Sequence, residues 1–153
     1  MKAAAFLLLI SLGAVTSSYA QKSHAPVLLG DTSKVVYYQP AVNVFGDDLF
    51  PGTTIKQSDS FERAYRRLVR TFGSYQKGSG MKTGHTLKAW WKVYFDKSGS
   101  IDGMIFRIVS PNVSDGVAGQ IYERTRKLIK NEKIPLRSIY SFSQCGSIKV
   151  IIP

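Results

Sequence analysis

The sequence predicts an α+β fold, an antiparallel sheet of three to four strands with two helices packed on one face. Apolar residues recur at helical spacing in two separate segments of the chain. A segment between them alternates apolar and polar residues, and further β-like runs follow the second helix. The resulting order of helix, strand, strand, helix and strand is typical of an α+β domain with helices on one side of its sheet.

The first helix is predicted to begin at the start of a domain that spans residues 58–153. Asp59 is placed to cap it, and Glu62 follows at the spacing of a capping box. Gly73 is a favourable residue to end it. The apolar stripe of this helix consists of Phe61, Ala64, Tyr65, Leu68, Val69 and Phe72. Arginines fall on the other side, which is either a solvated face or an anion-binding one.

A β-hairpin is predicted next, over Leu87–Val109. Strand alternation places Trp91 in the core and Trp90 on the outer face. Asp96 to Gly99 supply the turn. The expected register pairs Phe95 with Ser100, Trp91 with Met104, Ala89 with Phe106, and Leu87 with Ile108. This register keeps Arg107 out of the core, whereas a slip of one residue would bury its charge.

A second helix is predicted over residues 114–131, with Ser114 as its N-cap and Pro135 beyond its end. Two β-like runs follow, at 138–143 and 147–152, with a break at Cys145-Gly146. The apolar residues near Cys145 predict a buried, inert thiol.

The N-terminal residues 1–20 have the pattern of an export signal. Lys2 precedes an apolar stretch, and the small residues Ser18 and Ala20 form a cleavage site before Gln21. The apolar stretch is shorter than a membrane span requires. We therefore expect a cleaved signal peptide, no transmembrane anchor, and a periplasmic or secreted protein. Residues 21–57 are rich in turn signals and predict an extended lead-in with one short strand at 34–38.

The charge balance favours an anionic partner. The chain carries 21 Lys+Arg against 10 Asp+Glu, a formal net charge of +11, and removal of residues 1–20 takes away only Lys2. An exported basic protein meets acidic envelope proteins and cell-wall polymers, so we expect an envelope partner rather than nucleic acid. The sequence lacks the common hydrolase, zinc-protease and nucleotide-binding motifs. We therefore expect no enzyme, no cofactor and no metal site.

The outer face of the hairpin is the candidate binding surface, because it mixes cations with aromatic residues. Such a surface suits carbohydrate, anionic polymer or protein. Its members are Lys88, Trp90, Lys92, Tyr94, Ile105 and Arg107. In the alternative interpretation, the lead-in strand or the partner subunit of a homodimer covers these residues.

Residues 87–108, LKAWWKVYFDKSGSIDGMIFRI, resemble the strand–Asp–x–x–Gly–strand hairpin of the C-terminal domain of TonB-type energy transducers. The flanking helices and the last strand follow at similar spacing, so the resemblance covers about residues 61–152. It implies a non-catalytic domain that binds outer-membrane receptors by pairing its sheet edge with an extended segment; related domains contact peptidoglycan. On this resemblance, Ile148, Val150 and Ile152 would form the binding edge. The family's energised members carry a membrane anchor and a long Pro-rich spacer, which this sequence does not show.

Two function classes follow from these observations. The first is an exported binding module resembling the TonB C-terminal domain, which binds an envelope protein or peptidoglycan-like partner. The alternative is an unrelated secreted α+β protein, cystatin-like or NTF2-like, that binds an anionic ligand. A small enzyme is the least favoured class.

Overall fold

The computed structural model describes residues 24–31, 38–40 and 55–153, which form one sheet and two helices. The elements are β1 Val27–Gly30, β2 Gln39–Pro40, α1 Ile55–Tyr75, β3 Thr86–Phe95, β4 Ile101–Ile108, α2 Asp115–Asn131 and β5 Phe142–Ile151. The strand order is β1-β4-β3-β5-β2, antiparallel except for the two-residue parallel pairing of β2 with β5. The predicted α+β class is confirmed. The predicted signal at 1–20 and most of the predicted strand at 34–38 lie outside the described residues.

Helix α1 is longer than predicted at both ends. It begins at Ile55, so Asp59 lies inside the helix and is not its N-cap. It also continues past Gly73 to Tyr75. A Cβ at Gly73 would lie 3.3 Å from the Cβ of Val150, so glycine lets the helix backbone approach β5 closely. Here the requirement for close packing, not helix termination, explains the glycine.

Aromatic rings from both helices and from the sheet meet in the hydrophobic core. Phe72 of α1 packs against Trp91 of β3 and Phe106 of β4, with ring centroids 5.2 and 5.6 Å apart. Tyr122 of α2 meets Phe106 edge-on at 6.1 Å. Residues of both helices therefore contact the same ring, that of Phe106 in β4. Trp91 is fully buried, as predicted.

The predicted hairpin register is wrong by two residues, although the predicted faces are right. Trp91 lies opposite Phe106 rather than Met104, and Phe95 lies opposite Ile101 rather than Ser100. The connecting loop therefore includes Ser100, and a bulge between Tyr94 and Phe95 reduces the difference from the expected register to one residue at Phe95. A shift of two keeps every side chain on its face, because strand side chains alternate with a period of two.

The longer loop is held together by the carboxylate of Asp96. Its Oδ1 accepts hydrogen bonds from the backbone N–H of Ser98 at 2.8 Å and of Ser100 at 2.9 Å. Burial alone would raise the pKa of Asp96, but these bonds and one from the Ser98 hydroxyl outweigh it and lower that pKa. Asp96 therefore favours the five-residue loop over the four-residue turn that was expected.

The last strand, β5, is one continuous strand of 10 residues, not two runs broken at Cys145-Gly146. Gly146 lies within it, opposite Trp91. Cys145 is exposed, so the prediction of a buried thiol is also wrong. Phe142 and Ile148 each lie three positions from Cys145 along the strand, and because strand side chains alternate, both point to the other face.

Helix α2 begins as predicted. The side chain of Ser114 accepts a hydrogen bond from the backbone N–H of Val117 at 3.3 Å, which makes it the N-cap. Arg124 of this helix donates to the backbone carbonyls of Tyr75 at 3.3 Å and Gly78 at 2.9 Å. These bonds tie α2 to the end of α1.

Candidate functional site

The sheet side that faces away from the buried aromatic rings is called the outer sheet face. Its side chains come from alternate positions of β1, β3, β4 and β5, because neighbouring residues in a strand point to opposite sides. They are Leu28, Lys88, Trp90, Lys92, Tyr94, Ile105, Arg107, Cys145, Ser147, Lys149 and Ile151. All the predicted hairpin residues of the binding surface belong to this face.

The middle of the outer sheet face is basic and contains a half-exposed tryptophan. Lys88 of β3 lies directly opposite Lys149 of β5, and both are exposed. Residues that lie opposite one another across neighbouring strands are called a row. In the row next to Lys88 and Lys149, Trp90 lies between Arg107 of β4 and Ser147 of β5. Like charges on directly opposed residues of neighbouring strands repel each other. These two rows therefore concentrate positive charge around an aromatic ring.

The third row links the basic centre to an aromatic end. Lys92 lies between Ile105 and Cys145. Its Nζ stands 5.4 Å from the ring centroid of Tyr94, within cation–π range. The exposed Cys145 thiol is therefore part of this surface, beside a cation.

At the far end, the lead-in covers part of the predicted binding surface. Tyr94 is only 5% exposed. The ring of Tyr38 packs edge-on against it, with centroids 5.2 Å apart. The Tyr38 hydroxyl donates a hydrogen bond to Asp102, and burial followed by this bond raises the pKa of Tyr38. Tyr94 thus serves as a packing partner of the lead-in, which agrees with the alternative interpretation at this end of the face.

The residues predicted for the binding edge have their side chains in the core. Ile148 and Val150 are 7% exposed and Ile152 is 1% exposed. A partner at β5 would therefore meet backbone groups and the outward side chains of Ser147 and Lys149. Among the described strands, β2 pairs with β5 only at Phe142 and Ser143, which leaves the edge beyond Ser143 without a described partner.

The hydrogen bonds at the end of β5 show which of its backbone N–H groups point toward the open edge. The N–H of Ile152 donates to the carbonyl of His85 at 2.9 Å, on the β3 side. In an antiparallel pair, the backbone N–H and C=O groups of successive residues point alternately toward and away from the neighbouring strand. The pairing of β5 with β3 has no register shift, so the even-numbered residues of β5, like Ile152, point these groups toward β3. The N–H groups of Ser147 and Lys149 therefore point toward the open edge.

The acidic residues with an assigned contact lie away from the basic rows. Glu62 pairs with Arg66 on α1, and Glu123 pairs with Arg126 on α2. Asp102 stands at the far end of the sheet, bound by Tyr38. The register neighbours of Lys88, Trp90 and Lys92 include no carboxylate. The rows around Trp90 therefore present an electrostatic surface suited to anions.

Lys88 also borders a cleft of about 490 Å³, which the sequence did not predict. Lys82 and His85 line the same cleft, together with Asn112 and Ser110. Ser110 is a structural residue there, because its hydroxyl accepts a hydrogen bond from the backbone N–H of Lys88 at 2.7 Å. Within the ranges 24–31, 38–40 and 55–153, no group of three or more His, Cys, Asp or Glu side chains is placed to hold a metal ion.

Sequence reasoning missed Lys149, Leu28 and Tyr38. Alternation along β5 would have identified Lys149, whereas the other two depend on pairing with distant parts of the chain. For the described residues, neither helix has the length and apolar character of a membrane span.

The described residues form an α+β protein with an antiparallel sheet whose outer sheet face carries basic and aromatic side chains. No protein-family model, curated protein or solved structure matched the chain. The resemblance of residues 61–152 to TonB-type C-terminal domains therefore rests on the sequence pattern alone.

Proposed function

We propose that this protein is an exported, non-enzymatic binding module that acts in the periplasm or outside the cell. It holds an anionic envelope partner, either an acidic envelope protein or a peptidoglycan-like polymer, on its outer sheet face. The observation that carries the proposal is the cluster of Lys88, Lys149 and Lys92 around the half-exposed Trp90, with no carboxylate among their register neighbours.

Lys88, Lys149 and Lys92 have no carboxylate among their cross-strand neighbours. The opposed pair Lys88 and Lys149 destabilises the free protein, and an anion bound between them would relieve that repulsion. Trp90 adds apolar contact area beside the cations, as at other sites that combine ionic and stacking contacts. The same repulsion opposes a homodimer in which two outer sheet faces meet.

Charge reversal tests the outer sheet face. Lys88→Glu/Lys92→Glu should weaken binding to purified peptidoglycan, or to proteins of an envelope extract, by at least about tenfold. Arg70→Glu/Lys127→Glu is the matched control, because it changes net charge equally at exposed helix positions. The control should bind within about twofold of wild type, and wild-type binding should weaken as salt screens the contacts. Equal loss in both variants would mean that net charge, not this face, directs binding.

The open edge of β5 is the second part of the proposed site, where an extended partner segment would add a strand. Ser147→Pro removes an N–H that points to this edge, so it should fold and lose partner binding. Val150→Pro is the contrasting variant, because its N–H points toward β3 and its loss should unfold the sheet. A folded Ser147→Pro protein that binds normally would eliminate strand addition.

Export is tested by intact mass. The protein recovered from the periplasm or the culture medium should lack residues 1–20, since Ser18 and Ala20 form the cleavage site. A full-length mass in the membrane fraction would contradict export by a cleaved signal.

The cleft beside Lys88 favours a second candidate function, binding of a small anionic ligand by a cystatin-like or NTF2-like secreted protein. Lys82→Glu/His85→Ala changes the cleft and leaves the rows around Trp90 intact. If this variant loses a small anion but still binds peptidoglycan or envelope protein, the two sites are separate. If it loses both, the cleft is the main site.

A further inference from the structure

The cleft beside Lys88 combines two kinds of lining that together limit the class of ligand it can hold. Two chain segments line it: residues 80–88, which lead into β3, and residues 110–117, which lead from β4 into α2. Its volume of about 490 Å³ lies within the range of about 300–1,000 Å³ that is typical of small-molecule sites. The cleft is therefore large enough to take a ligand with an apolar body as well as a charged group.

The first kind of lining is cationic. Lys82 and Lys88 line the cleft together with His85, and all three residues are exposed. Within residues 24–31, 38–40 and 55–153, none of these three side chains forms an ion pair. No Asp or Glu belongs to the lining, since Asp115 lies outside it and its Oδ1 stands 4.0 Å from Nδ1 of His24. The lining therefore offers two lysine charges to an anion and no carboxylate that would compete for them.

The second kind of lining is apolar. Met81, Val113 and Val117 line the cleft, and each is half-buried and packs against the hydrophobic core. Their remaining exposed surface can still be removed from water by a ligand, which is favourable in proportion to the apolar area covered. An inorganic anion would use only the cations of this cleft, whereas an anion with an apolar body would use both kinds of lining.

Backbone hydrogen bonds fix both segments that line the cleft. In the first segment, the N–H of His85 donates to the carbonyl of Lys82 at 3.1 Å, and the N–H of Ile152 donates to the carbonyl of His85 at 2.9 Å. In the second segment, Nε2 of His24 forms a hydrogen bond with the carbonyl of Val113 at 2.9 Å. The cleft is therefore formed before a ligand arrives, which reduces the ordering cost of binding.

We propose that this cleft binds a small amphiphilic anion, a carboxylate joined to an apolar body. Lys82 and Lys88 would donate charge-assisted hydrogen bonds to the carboxylate. Met81, Val113 and Val117 would contact the apolar body. The inference rests on the second candidate function and adds the chemical class of its ligand. It does not depend on the outer sheet face, which shares only Lys88 with the cleft.

Calorimetric titration of the protein with decanoate, below its micelle-forming concentration, tests this proposal. Wild type should bind decanoate at least about tenfold more tightly than acetate, which lacks the apolar body, and than decanol, which lacks the charge. Lys82→Gln should weaken decanoate binding by about tenfold. Lys77→Gln is the matched control, because both lysines are exposed in the loop between α1 and β3 and only Lys82 lines the cleft. The control should bind within about twofold of wild type.

The apolar lining is tested separately. Val113→Ser should weaken decanoate binding by about fivefold and leave acetate binding unchanged, because it removes apolar contact and no charge. Val109→Ser is the matched control, since Val109 is exposed and lies outside the lining. Met81→Ser removes apolar contact from the other segment and should have the same effect, so the test stands if thermal melting shows that Val113→Ser is poorly folded.

The outcomes separate this inference from the candidate function on which it rests. If acetate or sulfate binds as tightly as decanoate and Lys82→Gln weakens all of them, the cleft is an anion site, and the amphiphilic class is wrong. If decanol binds as tightly as decanoate, or if Lys82→Gln and the serine variants bind decanoate like wild type, the proposal is also overturned. If decanoate, acetate and sulfate all fail to bind, both the inference and the second candidate function fail.

Discussion

The two faces of the central sheet differ in how completely their side chains are buried. On the core face, Trp91 is fully buried, touches the rings of Tyr65 and Phe72, and donates its indole N–H to the Tyr65 hydroxyl at 2.5 Å. On the outer sheet face, the adjacent Trp90 is half-exposed between Arg107 and Ser147. Adjacent residues of one strand therefore have different roles: Trp91 packs in the core, and Trp90 lies at the surface.

This difference separates the residues that stabilise the fold from those of the proposed binding surface. Every polar group of Trp91 is satisfied within the fold, as buried polar groups require. The outer sheet face instead keeps an opposed lysine pair that weakens the free protein. Substitutions on the core face should therefore affect folding, and substitutions on the outer sheet face should affect binding.

The largest expected effect comes from truncating the two tryptophans in parallel. Trp91→Ala should reduce the free energy of unfolding by about 3–5 kcal/mol, because it leaves a cavity among the core rings. Trp90→Ala should cost roughly 1 kcal/mol or less. Urea denaturation of both variants measures the difference. Similar losses would show that the lead-in or a partner covers the whole outer sheet face.

A smaller effect should come from Gly99, a glycine within the β3–β4 loop. Gly99 has φ +86°, and a Cβ there would lie 2.3 Å from the carbonyl oxygen of Ile134. Gly84 has a similar φ of +80° but no atom within 4 Å of such a Cβ. Gly84→Ala should therefore cost only the left-handed strain, about 1–2 kcal/mol. Gly99→Ala adds overpacking and should cost roughly 2–4 kcal/mol. Equal melting losses would mean that the loop at residues 132–141 can move away.

The sequence predicted the faces of the sheet better than its register. Alternation in β3 assigns Trp91 and Trp90 correctly, because side-chain direction is a local property of a strand. The register also depends on the loop held by Asp96 and on the bulge beside Phe95, which the apolar pattern does not encode. Cys145 was misplaced because the expected break at Gly146 hid the alternation of a continuous β5.

The candidate site was predictable to the same limited extent. Lys88, Trp90, Lys92 and Arg107 follow from the hairpin pattern alone. The burial of Tyr94 depends on Tyr38, which is distant in the chain, and a single sequence gives no signal for that contact. The binding edge was inferred from a resemblance, and the side chains named for it serve the core instead.

The core face should also respond to alkaline pH through Tyr65. Burial raises the pKa of Tyr65 to about 12 from its ordinary value of 10.0. Below pH 10 the Tyr65 phenol is neutral in both the folded and the unfolded protein. Between pH 10 and 12 the unfolded chain loses the phenol proton while the folded protein keeps it, so rising pH favours unfolding. Relative to Tyr65→Phe, wild type should lose up to about 2–3 kcal/mol between pH 10 and 12. Parallel stability curves for the two proteins would contradict this assignment.

The smallest effect on stability tests the outer sheet face most directly. Lys149→Glu replaces the repulsion with Lys88 by an attraction across the strand pair, so the free energy of unfolding should rise by about 0.2–1 kcal/mol at low salt. Added salt should remove most of this gain, since both side chains are exposed. Lys149→Gln, which removes only the repulsion, should gain less. If the lysine pair serves binding, Lys149→Glu should bind peptidoglycan or envelope protein less tightly although it is more stable. A variant that gains stability and retains full binding would show that Lys149 lies outside the binding surface.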